Sequence, residues 1–336
     1  MKEYIRARAP LRIGIAGGGT DVEPYASERG GCVLNTTIDK YAYCTIVPNG
    51  TGNLNIESLD YGTFEAPLDG GPLKYDGKMD LIKAVSNHFK ITTGFDVLIH
   101  SDAPPGSGLG GSSTVIVSIL GAVTEWIGKK MNNHDLAELA FKLEREELGL
   151  RGGKQDQYAA VFGGFNLMEF GKDGVKVNSI ALKESTINEL QSCSLLCYTG
   201  NSRESAKIID SQMARYSSGS NVDALDRAKQ LASEGKDALM RNNVKEFGEI
   251  LNQAWEQKKK FTPDVTNSLL DKYYTTAMDN GAVGGKISGA GGGGFMYFVC
   301  EYDKRHIAAK QLKNLGATIM DFTFEKKGVQ TWRYRE

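Results

Sequence analysis

Apolar and polar positions along the chain separate strand-like runs from helix-like ones. Residues 11–16 and 41–47 are apolar or alternating with β-branched side chains, which predicts two strands flanking a turn at Gly17-Gly18-Gly19. Residues 97–100 predict another strand. Residues 114–126 are too densely apolar for an exposed helix and predict a buried one. A helix over about 134–148 is expected next, capped by Asn133, with Leu136, Leu139, Ala140 and Leu143 on one stripe and Gly149 ending it. Farther on, residues 194–198 read as a strand, 223–241 and 244–260 as helices after a polar loop at 216–221, and 295–299 as a fully buried strand. Residues 68–78 read as a surface loop. The turn from Gly171 to Gly174 is the expected handover between two units, 1–171 and 172–336.

Composition narrows the function classes. With 40 basic and 41 acidic residues the formal charge is -1, and no long run carries one sign. That excludes the basic face of a nucleic-acid binder, so any phosphate recognition must be local. No run nears the about 18 apolar residues of a membrane span, and the start of the chain, with Lys2, Glu3, Arg6 and Arg8, lacks the apolar core of an export signal. A cytoplasmic protein without membrane contact is expected. The five cysteines are odd in number and lie mostly in apolar runs, so they are expected as reduced core residues, with no zinc spacing at Cys193 and Cys197.

The 40 glycines are concentrated in a few clusters. Pro104 to Thr114 (PPGSGLGGSST) stands between a strand-like and a helix-like run. Its glycines free consecutive N–H groups, and the following helix adds its own unpaired N–H groups and positive dipole end, which together make a phosphate cradle. The spacing Gly106-x-Gly108-x-x-Gly111 also fits the dinucleotide fingerprint. Two prolines separate it from the strand, however, and the next acid is Glu125, inside the helical pattern, so the Rossmann context is missing. Residues 281–288 fail as a Walker A loop because Ile287 follows the lysine. A plain tight connection remains the alternative for the cradle.

A second cluster, Ser288 to Gly294, again abuts a strand and could face the same ligand from the other unit. Between the clusters, Asp156 stands beside the turn Gly152-Gly153, where a lone aspartate is ordinarily an Asx turn or a cap. Arg12 lies inside an apolar run and needs a partner, because an unpaired buried charge is costly; Asp156 is one candidate.

The order of these pieces resembles the GHMP kinase superfamily, named for galactokinase, homoserine kinase, mevalonate kinase and phosphomevalonate kinase. Residues 9–21, 104–114 and 286–294 match its three motifs, and Gly17 to Asp21, Gly153 to Tyr158 and Tyr198 to Arg203 carry a narrower likeness to the sugar 1-kinases, fucokinase and D-glycero-D-manno-heptose 7-phosphate kinase. The resemblance implies an α+β fold of two domains, an N-terminal ribosomal-protein-S5-like α/β domain and a C-terminal ferredoxin-like α+β domain. It implies ATP held by Pro105, Gly106, Ser107, Gly108, Leu109, Gly110, Gly111, Ser112 and Ser113, and Mg²⁺ held by Ser112 and Glu144. Asp156 would be the catalytic base, paired with Arg12, and Asp21 would accept from a sugar hydroxyl. Thr20, Gly18, Gly19, Lys154, Arg203, Gly289 and Gly291 would complete the site for a small sugar phosphate, with Arg151 a further cation near its phosphate.

The activity so implied is ATP-dependent phosphorylation of the anomeric hydroxyl of D-glycero-D-manno-heptose 7-phosphate to the 1,7-bisphosphate, a step toward nucleotide-activated heptose. A fucokinase-like enzyme for an unphosphorylated sugar and a non-catalytic ligand-binding member are the alternatives, and a homodimer is left open. Helical phase points elsewhere for the metal: a wheel puts Glu147 nearer the apolar stripe than Glu144, so that assignment rests on the resemblance. Where galactokinase has Glu-His before Thr-Asp, this chain has Gly18-Gly19, which implies space for a larger or differently oriented sugar than galactose.

Overall fold

The computed structural model describes residues 2–59, 62–200 and 205–336. Two sheets organise them. The larger is a nine-stranded sheet built on the long strands Glu3–Ala16 and Gly31–Pro48, which pair antiparallel. Phe95–Ser101 continues from Gly31–Pro48, followed by Asn53–Ser58 and Gly62–Pro67, while Gln330–Arg335 closes the opposite edge along Glu3–Ala16. The smaller sheet has the order Thr318–Met320, Ser194–Tyr198, Phe295–Cys300, Ala282–Ile287, antiparallel throughout.

The expected split at 171 falls inside a hairpin. Phe165–Gly171 pairs with Gly174–Ser179, and the chain from Phe324 onward returns to the larger sheet. Gly171 to Gly174 is therefore a tight turn within one sheet. The core crosses the boundary as well: Leu11, Ile13 and Leu34 pack in one cluster with Leu231, Phe247, Leu251 and Phe295. The strand Glu3–Ala16 is thus buried on both faces along its second half, where it is covered by elements of both units.

Three local features position the site. Pairing between the two long strands is irregular between Pro10 and Arg12, which follows from proline's missing N–H, and the Arg12 amide donates instead to the Leu109 carbonyl at 3.1 Å. The buried helix Gly111–Ile127 begins without a side-chain cap, after Gly110 in the left-handed region at φ 78°, and has no acid in its first turn. The helix expected over 134–148 is Asn133–Phe141, and the chain then widens into a π-helical turn, Lys142–Glu147. Its cap is Asn132, whose side chain accepts from the Asp135 amide at 2.9 Å; the expected cap, Asn133, is already inside the helix. All five cysteines are reduced and buried, and no helix among the described residues is long and apolar enough to cross a membrane.

Candidate active site

Arg12 is the hub. It is 4% exposed, and its guanidinium donates to Asp156 Oδ1 at 2.7 Å, to the Gly108 carbonyl at 2.6 Å and to Ser288 Oγ at 3.2 Å. One side chain therefore ties the first strand to both glycine clusters and to the candidate base, and the partner that its place in an apolar run demanded is Asp156. Asp156 sits in the first turn of the helix Gln155–Phe162 and keeps part of its surface toward the cavity. Gly110 makes room for it: a β-carbon there would meet Asp156 Cγ at 3.3 Å.

Asp21 is buried. It accepts from the Gly19 amide at 3.0 Å, the Gln155 amide at 3.2 Å and Gln155 Nε2 at 3.0 Å. Burial, then the nearby Asp156 charge, pushes its carboxyl above the usual carboxylate range, with the backbone amides of Gln155, Gly19 and Asp21 working against the rise. Gly153 permits this geometry, since a β-carbon would fall 2.0 Å from Asp21 Oδ2.

Glu144, fully buried, accepts from Ser112 Oγ, Ser113 Oγ and Gln157 Nε2, each at 2.7 Å, with Arg145 3.5 Å away. The wheel that favoured Glu147 was drawn through Leu136, Leu139, Ala140 and Leu143, whereas the buried stripe runs through Leu136, Ala137, Ala140 and Phe141; the π turn then leaves Glu147 exposed. Among the described residues no group of three His, Cys, Asp or Glu could hold a metal. A carboxylate and a hydroxyl beside a phosphate cradle nevertheless fit Mg²⁺, which takes one or two protein ligands and completes its shell with phosphate oxygens and water. Ser112 and Glu144 would be those ligands.

The cavity beside these groups, which Glu144 does not itself line, has a volume of about 200 Å³. Gly106, Ser107, Gly108, Gly110, Gly111, Ser112 and Ser113 line it, as do Gly18, Gly19, Asp21, Asp156 and Gly289. Other expected residues face elsewhere. Pro105 is exposed outside the cavity, and Leu109 is in the core and reaches the site only through its carbonyl. Thr20 is a buried brace whose hydroxyl donates to the Gly17 carbonyl and accepts from the Cys32 amide. Gly291 packs on Val265, whose carbonyl a β-carbon would meet at 2.8 Å. Lys154 lies over the Phe141 ring, 4.8 Å from its centre, and Arg203 lies outside the described residues. The Gly18-Gly19 pair opens less space than expected. Gly18 is roomy, but a β-carbon on Gly19 would meet Phe261 at 3.0 Å and Gln212 at 3.1 Å.

Three cations of the site were not predicted from the sequence. Arg145 donates to Ser113 Oγ at 3.0 Å and to the Arg151 carbonyl at 3.0 Å, bridging the cradle and the loop before Asp156. Lys286 donates to the Gly14 carbonyl at 2.7 Å, and burial pushes its ammonium well below the usual amine range. Lys258 donates to the Gly289 carbonyl at 2.7 Å; burial, then the Arg12 charge, pushes it down to about 8. A signal for Lys258 existed, because it continues the stripe of Phe247, Leu251 and Ala254, a lysine where the pattern asks for an apolar residue.

The family models for the GHMP kinase N-terminal domain and C-terminal domain match residues 79–164 and 236–318. The D-glycero-alpha-D-manno-heptose 7-phosphate kinase of Campylobacter jejuni is 38% identical over 335 residues, 98% of this chain and 99% of that protein. The crystal structure of a D-glycero-D-manno-heptose 1-phosphate kinase from Bacteriodes thetaiotaomicron superposes with a TM-score of 0.84 at 37% identity, over 99% of this chain and 100% of that one. Lactococcus lactis galactokinase, at 19% identity, a TM-score of 0.77 and coverage of 97% and 95%, shares the fold. Identity of this order along the full length, with the three motifs meeting around one cavity, makes this chain a member of the GHMP kinases, phosphotransferases with an alcohol acceptor.

Proposed function

We propose that the protein transfers the γ-phosphoryl group of ATP, with Mg²⁺, to the anomeric hydroxyl of D-glycero-D-manno-heptose 7-phosphate, giving the 1,7-bisphosphate and ADP. The observation that carries this reading is the Arg12–Asp156 pair beneath the uncapped start of helix Gly111–Ile127, in a chain 38% identical over its length to a protein named for that substrate. The glycine loop and helix N–H groups would seat the phosphates, and Arg145 and Arg12 would offset charge on the transferred group. Mg²⁺, held by Ser112 and Glu144, would neutralise phosphate oxygens. The acceptor oxygen bonds to the γ-phosphorus as the bond to the bridging oxygen breaks, and Asp156 takes or orients the hydroxyl proton, with Arg12 holding its carboxylate toward the acceptor. Asp21 and Gln155 would fix the sugar.

Asp156→Asn is expected to leave nucleotide affinity within about twofold while turnover falls by about 10² or more, the usual scale for a general base. Turnover at the wild-type level would sink the assignment. An unphosphorylated sugar is the second reading, and specific observations favour it: Lys154 faces Phe141 and Arg151 is paired with Asp210 at 3.0 Å, so two cations expected for a 7-phosphate are already engaged. ADP release against the heptose 7-phosphate, the free heptose, fucose and galactose separates the two.

A further inference from the structure

Buried lysines in this chain are of two kinds. Lys83 is held between Asp76 and Asp80, the usual way to keep an ammonium out of water. Lys258, 5% exposed, makes no ion pair among the described residues; its one hydrogen bond there goes to the Gly289 carbonyl. An ammonium has three donors, so two are left at the wall of the cavity. A desolvated cation held by a single carbonyl is costly, and the cost is recovered when a ligand brings oxygen atoms to it. The charged groups facing it are Arg12 from the first strand and Asp21 from the turn after it, with Lys286 alongside from the strand Ala282–Ile287. Ser112, Ser113 and Glu144, the nucleotide and metal residues, bond among themselves instead.

We infer that Lys258 is a specificity-determining contact of the acceptor, its ammonium binding an oxygen of the sugar phosphate beside Asp21. The inference rests on the sugar kinase reading and adds to it a contact supplied by the second half of the chain, from the last turn of the helix Val244–Lys259.

Calorimetry on the full chain, with Mg-ADP and the heptose 7-phosphate titrated separately, tests it. Lys258→Met is expected to weaken acceptor binding by about tenfold or more, the worth of one charge-assisted hydrogen bond, and to leave Mg-ADP affinity within about twofold. Lys258→Arg keeps the charge and is expected to recover part of the loss. The ammonium must be protonated to bind, and its pKa is about 8, so wild-type acceptor affinity falls as pH rises through that value. In Lys258→Arg that alkaline fall disappears, a change that a purely structural lysine would not produce. Unchanged acceptor affinity in Lys258→Met, an equal loss of Mg-ADP affinity, or an alkaline fall that persists in the arginine variant overturns the inference. If Lys258→Met does not fold, the arginine variant and its pH profile decide. A wild-type protein that ignores the heptose 7-phosphate counts against the substrate reading alone, and the same titrations are then run with whichever sugar turns over.

Discussion

The two glycine clusters are alike in composition and different in purpose. In the first, Gly106, Gly108 and Gly110 all take positive φ, and the helix start at Gly111 faces open space, with nothing within 4 Å of where a β-carbon would stand. In the second, a β-carbon on Gly289 would fall 2.7 Å from Gly108 Cα, and one on Gly294 would fall 2.2 Å from the Ser107 carbonyl oxygen. In the first, Gly108 is bare for its contact with the second, since a β-carbon there would meet the Ser288 carbonyl oxygen at 2.5 Å, whereas Gly111 stands clear at the cavity wall. The second is bare so that it can approach the first, and only its near end, Gly289 and Ala290, reaches the cavity. Glycine density marks close backbone approach, and what approaches has to be found from the fold.

Substitutions sharpen this contrast. Gly294→Ala, at φ 97° against the Ser107 carbonyl, is expected to cost about 3 kcal/mol of stability or more, read as a lower urea midpoint; an unshifted midpoint would mean the clusters are not pressed together. Glu144→Gln keeps the shape of the first cluster's surroundings and removes the charge. It is expected to lower turnover by about 10² and to raise the Mg²⁺ concentration needed for half activity, with melting temperature shifted by only a few degrees. The smallest effect belongs to Gly111→Ala. With open space and no positive φ, stability is expected to hold or to rise by about 0.5 kcal/mol, while Mg-ADP affinity falls by about tenfold. Equal nucleotide affinity would show that the cradle's mouth is not where the phosphates sit.

Much of this site could be read from the letters, for identifiable reasons. A charge inside an apolar strand must find a partner, which led from Arg12 to Asp156. The motifs, being contiguous, meet around one cavity, although Pro105, Leu109, Thr20 and Gly291 within them do not line it. What escaped depends on direction or on distant packing. Whether Lys154 points into the cavity or onto Phe141 is set by the path of a turn, and Glu144 against Glu147 by a π-helical widening that no 3.6-residue wheel contains. The short edge strand Gly174–Ser179 carries only two apolar positions, Val175 and Val177, too few for its pairing with Phe165–Gly171 across the turn to be read from the letters. Lys258 was visible as a break in a stripe, but an ordinary reading puts a lysine at a helix end in solvent.

The contact between Gly108 and Gly289 has a meaning for descent as well as for catalysis. Where two segments touch backbone to backbone, neither has a side chain by which to adapt to the other, so drift on one side cannot be compensated on the other. Such a seam is inherited whole or lost. A chimera that takes its first half from this chain and its second from a diverged relative would meet the same two bare surfaces, and its incompatibilities would arise in the shared core instead, where Leu11 and Ile13 must interlock with Phe247 and Leu251.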